Sequence, residues 1–136
     1  MRSSRVLPRV TLLVAGCASL MLGGCGAGLV ETTRVSGVVK INGKPLEMGV
    51  IGFEPESPSD PSATSEIHDG KFAIDSPRGL RRISIMAYRQ AKGLGPDGKP
   101  YKEQYLPAKF NLESDRTLEV DSDPIVDHEI DLKVTD

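Results

Sequence analysis

The sequence contains no tryptophan, and its aromatic residues make up only 4% of 136 residues. Sites that stack sugars or bases on aromatic rings are therefore poorly supplied. Only two cysteines are present, Cys17 and Cys25, and both lie in the first 25 residues. Because the region after them has no cysteine, no disulfide bond can cross-link a domain formed there.

Basic residues are fewer than acidic residues beyond the first nine positions. Three of the 17 lysines and arginines, namely Arg2, Arg5 and Arg9, lie in that segment. From Cys25 onward, 14 basic residues stand against 19 acidic residues, which gives a formal net charge of −5. Binding to a phosphate backbone needs a basic stripe, so we expect no nucleic-acid partner.

The sequence has no apolar run of about 20 residues. Its longest N-terminal apolar run covers residues 10–22 and is 13 residues long. A transmembrane helix needs about 20 apolar residues, whereas a shorter run after a basic start is typical of a secretory signal peptide. The run leads into Leu22-Gly23-Gly24-Cys25, which resembles the bacterial lipobox. The resemblance implies cleavage before Cys25 and acylation of its thiol with chains such as palmitate.

These features predict a signal peptide over residues 1–24, a lipidated tether over residues 25–33 and one domain over residues 34–136. Several acyl chains anchor a protein stably. We therefore expect a lipoprotein of the cell envelope, held on a membrane in the periplasm or at the cell surface. The alternative is an ordinary signal peptide in which the cysteine is incidental.

From Val35 onward the apolar residues alternate with a period of two, which predicts strands. Asn42-Gly43 and Asp69-Gly70 are strong hairpin signals, because these residues accept a positive φ angle. We expect seven short antiparallel strands that form an all-β sandwich. Their apolar residues lie in the following segments: residues 35–41, 50–53, 63–68, 71–75, 82–88, 118–120 and 130–134.

The order of these motifs resembles carboxypeptidase regulatory-like domains, which are transthyretin-like (prealbumin-like) sandwiches. The resemblance is carried by VSGVV, NGKPL and GVIGF in residues 35–53, by HDGKF from residue 68 and by YLPAKFN from residue 105. The last motif is similar to small lipoproteins that are abundant in planctomycete-type bacteria. The chain departs from the pattern at Leu80-Arg81, where the family has a Gly-x-Tyr corner. The resemblance implies a non-catalytic module without a cofactor.

The segment from Gly93 to Lys99 fits the G-x-G-x-x-G pattern. A phosphate site of this type needs a helix after the glycines, and Pro100 does not begin one convincingly. We therefore interpret residues 89–102 as a long connecting loop. Loops on a rigid sandwich commonly carry function, so this loop and its flanks are the predicted partner-binding surface. Its named members are Tyr88, Arg89, Tyr101, Lys102 and Tyr105.

Two alternatives remain open for the domain. Asp121, Asp123 and Asp127 offer carboxylates that could serve a calcium-dependent or glycan-binding module. A secreted hydrolase is a remote alternative, because the chain has no G-x-S-x-G motif and no paired His–Ser arrangement. His68 and His128 are the two histidines, and both are predicted to be solvated. The expectation is a structural or binding module whose partner is an envelope protein or a glycan.

Overall fold

The computed structural model describes residues 28–135 and is all-β. The predicted signal peptide and Cys25 lie outside these residues. All seven predicted strands are present, and two further short strands occur. The strands are β1 (Thr32–Ile41), β2 (Lys44–Pro45), β3 (Met48–Pro55), β4 (Ala63–His68), β5 (Lys71–Pro77), β6 (Gly79–Leu94), β7 (Pro100–Gln104), β8 (Thr117–Val120) and β9 (Ile125–Leu132), with a 3-10 turn at Ala108–Phe110. Within the described residues no helix is long and apolar enough to span a bilayer.

Both predicted hairpin turns are confirmed. Asn42 and Gly43 have φ angles of 50° and 83°, and Asp69 and Gly70 have φ angles of 51° and 81°. Two successive residues with positive φ match the twist of the flanking strands, which is why Asn-Gly and Asp-Gly are favoured there. The first turn joins β1 to β2, and the second joins β4 to β5.

The strands form one nine-stranded sheet in the order β2-β1-β5-β4-β3-β6-β7, with β8 paired to β6 and β9 paired to β1. The pairing is antiparallel except between β1 and β9, which are parallel. The prediction of purely antiparallel strands was therefore wrong at one pair. Alternation along a strand shows which face is buried, but it does not reveal the direction of the neighbouring strand.

The sheet has two wings, β9-β1-β5 and β4-β3-β6, which pair with each other only at the bridge between His68 and Lys71. The buried side chains of both wings form a single apolar cluster. Each fully buried Val, Ile or Phe side chain contributes about 1.5–3 kcal/mol relative to exposure. The cluster includes Val35, Val39, Ile51, Phe53, Ile67, Phe72, Ile74, Ile83, Ile85, Ile130 and Leu132.

The N-terminal pole of the molecule is the end at which β1 begins. Thr32 pairs with Pro77 there, and the nearby Gly79 pairs with Val120. Thr33 is buried, and its hydroxyl donates to the carbonyl oxygen of Asp121. The first strand thus begins at Thr32, and Thr33 already belongs to the packed structure.

Arg81 closes the interior at the N-terminal pole. Arg81 lies two residues before Ile83 and four before Ile85 on β6, so its side chain points to the same inward face. It is only 5% exposed. Its guanidinium donates to the carbonyl oxygens of Pro77 and Pro61, both at 3.0 Å, and to that of Arg78. The residue that stands where the family has a corner tyrosine therefore connects the turn between β5 and β6 with the segment that precedes β4.

The far pole lies at the opposite end of the same strands. β1 ends there at Ile41, β3 begins at Met48, and the β4–β5 turn follows His68. β6 begins at the N-terminal pole and runs toward the far pole. Its pairing with β3 ends at Ala87, opposite Gly49, and its remaining residues continue past the start of β3. The far pole is therefore built from two turns and one projecting hairpin.

Candidate functional site

The predicted partner-binding loop is a β-hairpin, and its interpretation as a loop was wrong. β6 continues to Leu94 and pairs with β7 through Arg89 and Glu103, Gln90 and Lys102, and Leu94 and Pro100. This hairpin, residues 88–104, is called the arm below. The two strands of the arm pair with each other outside the apolar cluster, so neither strand buries one face against it. For this reason their sequence has no alternation of apolar and polar residues from which strands could be predicted.

Polar contacts hold the base of the arm. The Arg89 Nε donates to the Glu103 Oε1 at 2.7 Å, and the guanidinium carbon lies 5.1 Å from the centre of the Tyr105 ring. The Gln90 side chain donates to the Tyr101 carbonyl oxygen at 2.8 Å. Arg89 therefore connects both strands of the arm with the aromatic side chain that follows them.

The glycine-rich segment forms the tip of the arm. The Gly95 amide donates to the Lys99 carbonyl oxygen at 2.8 Å, and the Gly98 amide donates to the Gly95 carbonyl oxygen at 2.9 Å. Asp97 Oδ1 accepts from the Lys99 amide at 3.2 Å. These amides serve the turn itself, and the φ angle of 73° at Gly98 accounts for a glycine there without a phosphate ligand.

A groove of about 740 Å³ lies at the far pole, between the arm and the two turns. One wall is the segment Lys44–Met48, another is His68 with Asp69, and the arm forms the third. Four predicted residues line it, namely Tyr88, Arg89, Lys102 and Tyr105. The fifth, Tyr101, is 46% exposed and does not line this groove.

The groove carries charges of both signs that are not used in ion pairs. Within residues 28–135, Lys44 and Lys102 have no carboxylate within 4.0 Å, and Glu47 and Asp69 have no basic group within that distance. Most arginines elsewhere on the surface are paired. These four charges therefore remain available to a ligand.

Tyr105 is held as a neutral hydrogen-bond donor in the groove. Burial raises the pKa of its phenol, and the negative charge of Glu47 raises it further, although Arg89 lowers it. The net pKa is above the usual value. A phenol with the ordinary pKa of about 10 is already protonated at neutral pH, so the shift extends this neutral state to higher pH. A ligand in the groove meets a donor at this position.

Sequence reasoning did not find Lys44, Glu47, Met48, His68 and Asp69. These residues flank the two hairpin turns, and those turns were recognised as local signals. Their convergence on the arm depends on β4 and β6 both pairing with β3, which places both turns at one pole. Local patterns carry no information on such pairings.

The calcium candidates Asp121, Asp123 and Asp127 are not brought together as one group of side chains in the described residues. Within the described part of the chain, no three His, Cys, Asp or Glu side chains are grouped so that they could hold a metal ion. Asp127 has a φ angle of 54° and lies at an irregularity in the pairing of β1 with β9. Aspartate tolerates this conformation better than most residues, so a backbone requirement accounts for it.

The chain has few detectable similarities to known proteins. No family model matches the chain, and no curated protein matches it. Among solved structures it is similar to a 9R-lipoxygenase from Cyanothece PCC8801, with a TM-score of 0.38 and 13% identity. The similarity covers 76% of this chain and 16% of the lipoxygenase chain. A similarity at this level carries no information on activity.

Proposed function

We propose that the chain is a non-catalytic, membrane-anchored lipoprotein of the cell envelope that binds a partner in the groove at the far pole. The anchor is the acylated Cys25, and the partner is an envelope protein or a glycan. The domain is proposed to be a transthyretin-like sandwich of the carboxypeptidase regulatory-like type. Two wings around one apolar cluster and the order of the turn motifs support that architecture.

The observation that carries the proposal is the position of the groove relative to the start of the domain. β1 begins with Thr32 at the N-terminal pole and ends with Ile41, which lines the groove. Ten strand residues span about 33 Å. A chain anchored at Cys25 would thus hold the groove on the side that faces away from the membrane.

The chemistry of the groove supports a polar ligand. Tyr88 and Tyr105 supply rings with hydroxyl groups. Lys44, Lys102 and Glu47 supply charges that have no ion-pair partner within residues 28–135. Tyrosine and charged side chains of this kind recognise protein surfaces and sugars by hydrogen bonds. The net charge of −5 from Cys25 onward does not favour a nucleic acid.

The anchor is tested by labelling with palmitate in the presence and absence of an inhibitor of the lipoprotein signal peptidase. We expect label on the wild-type chain and on Cys17→Ser, and none on Cys25→Ser. The inhibitor should cause the lipidated precursor to accumulate. Normal processing to a soluble product under inhibition would exclude the anchor.

The orientation is tested with the lipidated protein in vesicles. Because Cys25 is blocked by its lipid, a cysteine introduced by Tyr105→Cys or Asp121→Cys is the only free thiol for a fluorophore. We expect the dye at position 105 to lie about 30 Å farther from lipid-borne acceptors than the dye at position 121. Equal distances would contradict the proposed orientation.

Binding is tested with a photo-crosslinking residue at the same two positions in the native host. The groove position should give a discrete crosslinked product, and Asp121 at the N-terminal pole serves as the matched control. The product should be lost when Tyr88 and Lys102 are both replaced by alanine. Equal products from both positions would remove the groove as the binding surface.

A further inference from the structure

The edge strand of the arm is joined to the rest of the sheet by a side-chain contact that crosses one strand. Among the described strands β7 pairs with β6, and β6 lies between β7 and β3. The Lys102 side chain on β7 reaches over β6, and its Nζ lies 3.0 Å from the Met48 Sδ on β3. Within residues 28–135, no other side-chain hydrogen bond joins the arm to β3. This contact therefore restrains the position of the arm relative to β3.

The contact lies on the outer face of the sheet and is open to solution. Gly49, the neighbour of Met48 on β3, is buried, so the alternation places the Met48 side chain on the outer face. Met48 is 38% exposed. Met48 and Lys102 line the groove and also a depression of about 360 Å³ on the outer face. A change at this contact therefore alters a wall that both cavities share.

The contact is weak in its present chemical form. A thioether sulfur is only a weak hydrogen-bond acceptor. Within residues 28–135 Lys102 has no carboxylate within 4.0 Å, so no acidic group competes with Met48 for the ammonium. A stronger acceptor at position 48 would therefore hold β7 to β3 more firmly.

Met86 provides an internal comparison. It is the other methionine among the described residues, it lies on β6, and it is half-buried. Its Sδ lies 3.7 Å from the hydroxyl of Tyr88, a neutral group on the same strand. Met48 is thus the more exposed of the two thioethers, and it is the one whose sulfur contacts a charged donor from another strand.

We propose that Met48 is an oxidation site, at which a peroxide converts the thioether to a sulfoxide that fastens the arm through Lys102. A lone pair of the sulfur attacks one oxygen of hydrogen peroxide, and the O–O bond breaks. Sulfur loses two electrons to the peroxide and keeps the attacked oxygen, which gives up its proton. The other oxygen leaves as hydroxide and takes up a proton to form water. The Lys102 ammonium beside the sulfur is placed to donate that proton, which it regains from solvent.

Oxidation changes the contact in one direction. Methionine sulfoxide is polar, and its oxygen accepts a hydrogen bond far better than a thioether sulfur does. A hydrogen bond from an ammonium to this oxygen is charge-assisted and therefore strong. Methionine sulfoxide reductases reverse the oxidation, so the fastening is reversible. The proposal goes beyond the proposed function, because it requires neither the lipid anchor nor a partner in the groove.

The test uses the full chain in detergent micelles, treated with hydrogen peroxide. Peptide mass spectrometry should show that sulfoxide forms several-fold faster at Met48 than at Met86. Amide hydrogen exchange in residues 88–104 should become several-fold slower after oxidation, while exchange in β1 stays unchanged. Treatment with the two reductases that act on the two sulfoxide epimers should restore the original exchange rates.

Three variants assign the effect to the contact. Met48→Gln places a carbonyl oxygen at this position and should slow exchange in the arm without peroxide. In Lys102→Ala, oxidation of Met48 should leave the exchange rates of that variant unchanged, because the ammonium is missing. Met86→Leu is the matched control and should respond to peroxide like the parent chain. Oxidation of Met86 as fast as Met48, unchanged exchange in the oxidised parent chain, or equal slowing in Lys102→Ala would overturn the proposal.

Discussion

The two poles of the molecule use their polar groups differently. At the N-terminal pole, Thr33, Ser76 and Arg81 are buried and bonded to backbone carbonyl oxygens. At the far pole, Lys44 and Glu47 face an open groove without ion-pair partners in the described chain. The first pole uses polar groups to close the fold, and the second presents them to solution.

This difference separates stability from recognition. When a buried polar group loses its hydrogen-bond partner, the free energy of unfolding falls by the desolvation cost of the group that remains. Replacing an exposed charged residue changes the free energy of unfolding little. Substitutions at the N-terminal pole and in the strand pairs should therefore reduce stability. Substitutions at the far pole should change binding and leave the fold intact.

The largest expected effect is that of Gly37→Ala, in the interior of β1. A Cβ at this position would overlap the backbone carbonyl oxygen of His128 on the parallel neighbour β9. Backbone atoms cannot move aside as a side chain can, so we expect a loss of more than about 4 kcal/mol in the free energy of unfolding. Urea denaturation monitors it, and Gly93→Ala, which meets no atom within 4 Å, is the control.

The next effect is that of Arg81→Met, which keeps much of the side-chain volume but removes three donors. The carbonyl oxygens of Pro61, Pro77 and Arg78 would lose this partner. We expect a loss of about 3 kcal/mol in the free energy of unfolding. Arg82→Met is the control on the next residue, whose side chain is 42% exposed and pairs with Glu54. Equal losses for the two variants would refute the assigned role of Arg81.

A smaller effect depends on pH. Burial lowers the pKa of His128, and the positive charge of Arg116 lowers it further. The folded state therefore binds this proton less well than the unfolded state, so stability should fall as pH decreases below about 6.5. Urea midpoints measured between pH 7.5 and 5.0 should show this slope. In His128→Gln the urea midpoint should depend less steeply on pH. An unchanged pH dependence in this variant would show that other titratable groups cause it.

A still smaller effect is expected from Arg89→Ala at the base of the arm. The Arg89–Glu103 pair is largely exposed, so its loss should cost no more than about 1 kcal/mol in unfolding free energy. The arm should nevertheless loosen, because Arg89 also lies over Tyr105. Hydrogen exchange should accelerate in residues 88–104 and not in β1. Acceleration throughout the sheet would show that the arm is part of the cooperative fold.

The smallest effect is that of calcium. Because Asp121, Asp123 and Asp127 do not form a metal-binding group, millimolar Ca²⁺ should leave the melting temperature unchanged. The triple substitution of these residues by asparagine should melt identically with and without calcium. A saturable rise in the wild-type melting temperature that this triple variant loses would restore the calcium alternative.

Much of the strand content was predictable, because it is encoded locally. The alternation in residues 71–75 places Phe72 and Ile74 inward, and both are buried. The arm was missed for a physical reason. Its strands stabilise each other by backbone pairing and by polar contacts such as Arg89 with Glu103, and neither leaves an apolar pattern in the sequence.

The site was only half predictable for the same reason. Tyr88, Arg89, Lys102 and Tyr105 were proposed because they adjoin one segment, and they do line one groove. Lys44, Glu47 and His68 lie up to 61 positions away along the chain from Tyr105 and carry no common motif. They join the groove because β3 pairs with both β4 and β6.

The sequence by itself determined where the strands alternate and where the chain turns, since side-chain burial and positive φ angles depend on neighbouring residues. It also carries the predicted lipidation of Cys25, which depends on a short motif. Only the tertiary structure decided the parallel pairing of β9, the projection of the arm and the convergence of Lys44, Glu47 and His68 on the groove. Those features require strands distant in sequence to pair in one register, and no local pattern specifies that register.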